Sequence, residues 1–168
     1  MKKELDDYLV EKYPKIFINR YAGMKETAMC WGFDHGDGWF WLLDQLCNSI
    51  QSYIDSNEYR AEDKKIPQAI ADQVKEKFGG LNFYYHGGDD YIGGMIQLAE
   101  HMSYNTCEFC GSTENVGKTN GWISVICKDC HTNSDNVVSQ RSWVENKNST
   151  TSIFSKELRK IKIDKLNK

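Results

Sequence analysis

The sequence predicts an α+β fold: a small helix-rich core with a short strand or hairpin, a cysteine-stapled module after it, and a basic C-terminal tail. Three observations lead there. An apolar stripe with helical spacing runs from Trp39 to Ile54, a cluster of strand formers occupies positions 81–85, and two Cys-x-x-Cys pairs follow at Cys107, Cys110, Cys127 and Cys130. At 168 residues the chain fits one compact domain with a small appended lobe, and with 40% hydrophobic residues and five tryptophans it can build a real core. The expected division is a core over residues 1–104, a cysteine module over 105–131, and a linker with a basic helix over 132–168.

Taken in order, residues 2–13 read as a short amphipathic helix with Leu5, Tyr8, Leu9 and Tyr13 on one side, stopped by Pro14. Ile16, Phe17 and Ile18 would anchor it. A Gly-punctuated stretch from Met29 to Gly38 then leads into the clearest helix, where Trp39, Leu42, Leu43, Leu46, Ile50, Tyr53 and Ile54 form the stripe and Asp37 stands where a cap belongs. Residues 57–65 lack periodicity and read as an exposed loop. Pro67 suits the first turn of a second helix carrying Ile70, Val74 and Phe78, ended by Gly79-Gly80. Leu81-Asn82-Phe83-Tyr84-Tyr85 reads as a strand. Gly87-Gly88-Asp89-Asp90 turns the chain into a third helix, with Ile92, Met95, Ile96, Ala99 and Met102 inward. Residues 122–126 read as one strand of a hairpin inside the cysteine module. Beyond His131 the composition shifts to Ser, Asn, Thr and Lys, and Phe154, Leu158 and Ile161 make a weak helical stripe in a basic background.

The spacing Cys107-x2-Cys110-x16-Cys127-x2-Cys130 is that of a tetrahedral structural zinc site, in which each pair sits on a tight turn and the segment between is hairpin-sized. Zinc is therefore the expected cofactor, bound as a zinc ribbon. Four thiolates saturate the ion, so the site holds a fold together and leaves no position for water or substrate. The N-terminus lacks an apolar export segment and no stretch approaches the roughly 20 apolar residues that span a bilayer. A reducing cytoplasm follows as the expected compartment, with Cys30 and Cys47 as free, buried thiols.

Three stretches, MCWGFDHGDGWFWLLDQLC, QVKEKFGGLNFYYHGGDDYI and AEHMSYNTCEFCG with GWISVIC, resemble a widespread family of small proteins from tailed bacteriophages and prophages. The likeness covers residues 8–54 and 70–131, and its most specific run is Lys77-Phe78-Gly79-Gly80-Leu81. In that family the last metal-ligand position is often histidine, where this chain has Cys130; zinc accepts either donor, and the adjacent His131 is a candidate alternate ligand beside the four-cysteine set. The resemblance implies a role in host takeover or counter-defence inside the bacterial host.

Two loops look alike: His35-Gly36-Asp37-Gly38 and His86-Gly87-Gly88-Asp89-Asp90. If they converge, His35, Asp37, His86, Asp89 and Asp90 form a polar rim beside Trp41, a recognition surface with an aromatic anchor. The same residue types also suit metal-assisted acid–base chemistry or a phosphate held on helix N-termini, while plain capping and turn-making explain them without any function. Phe83, Tyr84 and Tyr85 bring base stacking to mind, but only alternate side chains of a strand share a face. Lys156, Arg159, Lys160, Lys162 and Lys165 give the tail a route to nucleic acid or to an acidic protein surface.

The net charge of −3 argues against a general nucleic-acid coat, and no nucleophile elbow, phosphate loop or dinucleotide fingerprint is present. Residues 34–100 hold 12 acidic and 5 basic residues, whereas residues 153–168 hold 6 basic and 2 acidic. The leading expectation is a non-enzymatic protein that occludes or redirects a host macromolecule, most simply a host protein, with no membrane partner. A nucleic-acid-binding ribbon regulator is one competing reading. A metal-dependent hydrolase or nucleotide-sequestering protein built on the His-Gly-Asp loops is the other.

Overall fold

A computed structural model describes residues 1–59, 61–133 and 138–146. Helix α1 (Lys3–Lys12) leads through turns to a two-residue strand β1 (Phe33–Asp34), helix α2 (Phe40–Ser56), strands β2 (Ile70–Lys77) and β3 (Gly80–His86), and helix α3 (Asp90–Ser103). Strands β4 (Val116–Thr119) and β5 (Val125–Cys127), helix α4 (Lys128–Asn133) and strand β6 (Trp143–Glu145) complete the described chain. The chain is thus mixed helix and sheet, and no helix among the described residues is long and apolar enough to cross a membrane.

The described residues form two sheets and two cores. In the first sheet β1 runs parallel to β2 and β2 antiparallel to β3; in the second, β4 lies between β5 and β6. The larger core joins α1, α2 and α3 to the first sheet through Leu9, Phe17, Trp39, Leu43, Val74, Phe83 and Ile92, all buried. Cys107, Val116, Val125, Ile126 and Cys127 form the smaller one, with Tyr104, Val138 and Trp143 packed on it. A bidentate pair, Arg20 to Asp6 at 2.9 and 2.8 Å, ties α1 to the loop before β1, and Arg20 also donates to the Cys30 carbonyl.

The stripe on α2 is as expected: Trp39, Leu42, Leu43, Leu46 and Ile50 are buried, and Trp41, off the stripe, is exposed. Helix α3 begins at Asp89, whose carboxylate accepts from Ile92 N at 3.1 Å as an N-cap. Met102, however, is partly exposed rather than inward.

Five expectations fail. The segment at 70–78 is strand β2, not a helix. A bulge between Ala71 and Gln73 interrupts the alternation, so the inward residues Ala71 and Val74 fall three apart and imitate a helical period. Gly79-Gly80 therefore ends no helix: Phe78 and Gly79, at φ 54° and 77°, form the two-residue turn of a hairpin in which Lys77 faces Gly80. Asp37 does not cap α2; its carboxylate accepts from Lys2 N at 2.8 Å and pairs with the Lys2 ammonium at 3.2 Å, while a short 3-10 turn precedes the helix. The linker reading of 132–168 stops short as well. Trp143–Glu145 pair with β4, and Trp143 Nε1 donates to Ile126 O at 2.9 Å, so the cysteine module extends to about residue 146. In the same module residues 121–124 are loop, with β5 starting only at Val125. The expected stripe of Phe154, Leu158 and Ile161 lies outside the described residues.

Candidate metal centre

The four cysteines converge. Their sulfurs all lie within 4.8 Å of one another, none is in a disulfide, and no other group of three or more His, Cys, Asp or Glu side chains among the described residues gathers this closely. Cys107 and Cys110 sit on a turn in which Gly111 N donates to Cys107 O at 2.9 Å; Gly111 has φ 78°, which reverses the chain into β4. Cys127 ends β5 and Cys130 lies one turn later in α4, with Cys130 N directed at the Cys127 sulfur at 3.4 Å. Two backbone bonds lock these turns together: Glu108 N to Val125 O at 3.0 Å and Lys128 N to Asn115 O at 2.9 Å.

Metal–thiolate geometry can be tested directly. Four zinc–sulfur bonds of about 2.3 Å in a tetrahedron place neighbouring sulfurs about 3.8 Å apart. Cys110 Sγ and Cys127 Sγ are 3.7 Å apart. Burial, then hydrogen bonding to the Cys110 and Cys127 sulfurs, pushes the Cys130 thiol up, and a cation held among the four sulfurs would favour the thiolate there. The residues present therefore fit a metal ion. His131 is not among them: its Nε2 faces Arg141 O at 2.9 Å, where it packs beside Trp143.

The first cysteine turn rests on the His35-Gly36-Asp37-Gly38 loop, and that contact explains both glycines. Gly38 N donates to Glu108 O at 2.8 Å and Gly36 N to the Glu108 carboxylate at 3.0 Å. A β-carbon on Gly38 would overlap Cys107 O and come within 2.5 Å of Gly111 N, and one on Gly36 would overlap Glu108 O. Trp39, fully buried, closes the joint by donating from Nε1 to Thr106 O at 2.9 Å. Burial raises the Glu108 carboxyl pKa, and the Gly36 N–H opposes this.

Structure and the expected rim disagree. His35 is buried against Phe33 and Trp39, with Nδ1 facing its neighbour's carbonyl and Nε2 without a hydrogen-bond partner among the described residues. Burial depresses its pKa to about 4, so it is a neutral core residue at pH 7. Asp89 faces Tyr53, whose hydroxyl donates to it at 2.9 Å near the far end of α2. Asp37 precedes the start of that helix, and about 20 Å of helix rise separates that start from Tyr53. His86 is exposed and bonded to Asp72 at 2.8 Å, at the Ile70 end of the sheet, and Asp90 opens α3 beside it. The loops thus lie at opposite ends of α2 and form no common site. Trp41 remains as an exposed aromatic, without the rim.

One cluster escaped the sequence reading. At the β2–β3 turn, Phe78 is 74% exposed, and across a groove shared with Lys77 and Gly121 stands Trp122, 72% exposed, with Ile123 between. The turn is braced from behind: a β-carbon on Gly79 would strike Ile123 and one on Gly80 the Tyr104 ring. Only the Phe-Gly-Gly run hinted at it. The partnership of Phe78 with Trp122 depends on how the two sheets dock.

The chain matches none of the family models, curated proteins or solved structures compared with it.

Proposed function

We propose that this is a zinc-stapled binding protein whose contact surface is the aromatic edge formed by Phe78, Trp122 and Ile123. Zinc fills the four-cysteine cluster as a closed, structural ion, making residues 105–146 a zinc ribbon with one added strand. The partner is a macromolecule, and in the phage-type setting implied by the resemblance it is a protein of the bacterial host, occluded in the cytoplasm. The observation that carries the reading is Phe78. An aromatic side chain in the left-handed region at φ 54° is a conformational outlier, and its exposure means that packing gives little back. Asn or Gly would make the same turn at lower cost. Rigid exposed aromatics are the residues that anchor interfaces.

The metal-dependent hydrolase reading has lost its geometric support, because His35 is buried and the two loops are far apart. A nucleic-acid partner stays in competition through the test itself. Immobilised protein is exposed to bacterial lysate with and without nuclease, in parallel with Phe78→Gly and Trp122→Ala. The proposal expects a protein that survives nuclease and is lost with either variant. Capture unchanged in both variants contradicts the assigned surface, and capture abolished by nuclease favours the nucleic-acid regulator.

A further inference from the structure

The fold covers the four sulfurs of the cysteine cluster unequally. Cys107 and Cys127 are 0% and 3% exposed and Cys130 is half-buried, whereas Cys110 is exposed. Cys110 also lines a cavity of about 390 Å³ together with Phe40, Trp41, Leu42 and Met102, so a small neutral molecule can approach it from solvent. Hydrogen bonding sets it apart as well. The Cys127 sulfur accepts from Cys130 N at 3.4 Å, a contact that draws electron density from it. Among the described residues no backbone N–H is directed at the Cys110 sulfur. One neighbouring thiol stands ready to react with it: Cys127 Sγ lies 3.7 Å away.

We propose that Cys110 is a modification site, at which a hydroperoxide converts the cluster to a Cys110–Cys127 disulfide and so releases the metal. The inference rests on the reading of the cluster as a filled zinc site, because a bound cation keeps Cys110 as the nucleophilic thiolate. In the first step the Cys110 thiolate attacks the terminal oxygen of the peroxide. An S–O bond forms, the O–O bond breaks, and the departing oxyanion takes a proton from water. Sulfur thereby loses two electrons, the peroxide gains them, and Cys110 becomes a sulfenic acid. In the second step the Cys127 thiolate attacks the Cys110 sulfur; the S–S bond forms, the S–O bond breaks, and hydroxide leaves. Two thiolates have then become one neutral disulfide. Cys107 and Cys130 alone do not make up the tetrahedral set that a structural zinc needs. The joint with the main core loosens too, since the same turn carries Glu108, whose carbonyl and carboxylate hold Gly38 N and Gly36 N.

The test treats the full chain, purified with its metal, with hydrogen peroxide. Zinc release is followed with a chromogenic chelator, and the oxidised thiols are located by peptide mass mapping. Cys30, half-buried and outside the cluster, serves as the internal comparison. Zinc should leave as a Cys110–Cys127 disulfide forms, about 2 Da lighter than the two thiols. Cys110 should be oxidised roughly tenfold faster than Cys30, and a sulfenic-acid trap added with the peroxide should label Cys110 first. A thiol reductant supplied with zinc should restore the starting protein. Zinc retained after Cys30 has been oxidised overturns the proposal. So does a first trap adduct on Cys107, Cys127 or Cys130, or a disulfide that joins any other pair. Protein that holds no metal before peroxide is added removes the filled-site reading itself, which tells the two failures apart.

Discussion

The left-handed backbone at Phe78 costs an aromatic residue roughly 1–2 kcal/mol relative to the right-handed region. Phe78→Gly should therefore raise stability by about 1 kcal/mol, part of the relief being offset by glycine's greater chain entropy, as read from a denaturant midpoint. A fall in stability would show that the ring packs on something. His35 supplies a second test. Its ordinary pKa is 6.5 and burial depresses it to about 4 in the folded protein. The unfolded chain then binds the extra proton between these values, so stability is full above about pH 6.5 and falls as pH drops toward 4, by roughly 3 kcal/mol. His35→Phe should flatten that slope in a pH series of melting curves. Sequence alone could separate Trp39 from Trp41, because helical spacing decides which faces the core. It could not recognise His35 as buried. A histidine amid Gly and Asp looks exposed, and the contact that covers its loop reaches 72 positions along the chain to Glu108.

Local signals read well where an element's own pattern sets its conformation. Helix α2 spans the 17 residues its stripe implies, and α3 starts at its capping Asp89. Strand β2 was misread because its bulge mimics a helical period, and β6 because three residues gain strand character only from β4. Two glycines distinguish element propensity from close packing. Gly94 lies inside α3 with nothing near its missing β-carbon, so Gly94→Ala should stabilise by about 1 kcal/mol. Gly38 abuts the backbone of the cysteine turn, and Gly38→Ala should destabilise by about 1–3 kcal/mol. Opposite signs for the two in urea denaturation are the expected outcome; equal gains would mean that the joint yields easily.

At the level of the whole molecule, the cysteine module works as a clamp at one end of the main sheet. It holds the loop leading into α2 through Gly36 and Gly38, Trp39 through Thr106, and the β2–β3 turn through Tyr104 and Ile123. With zinc in the cysteine cluster, as proposed, its binding free energy would be folding free energy for more than the cysteine module itself. Chelation, or Cys110→Ser, should lower the melting temperature and expose the Gly36 and Gly38 amides to exchange, while amides in the middle of α2 remain protected longest. The cysteine spacing announced the module, but not what it grips, since every one of those contacts is long-range. The most direct measurement is the metal content of protein purified without added metal or chelator. One zinc per chain is the predicted result; folded protein that contains no metal, or a different one, would contradict the account.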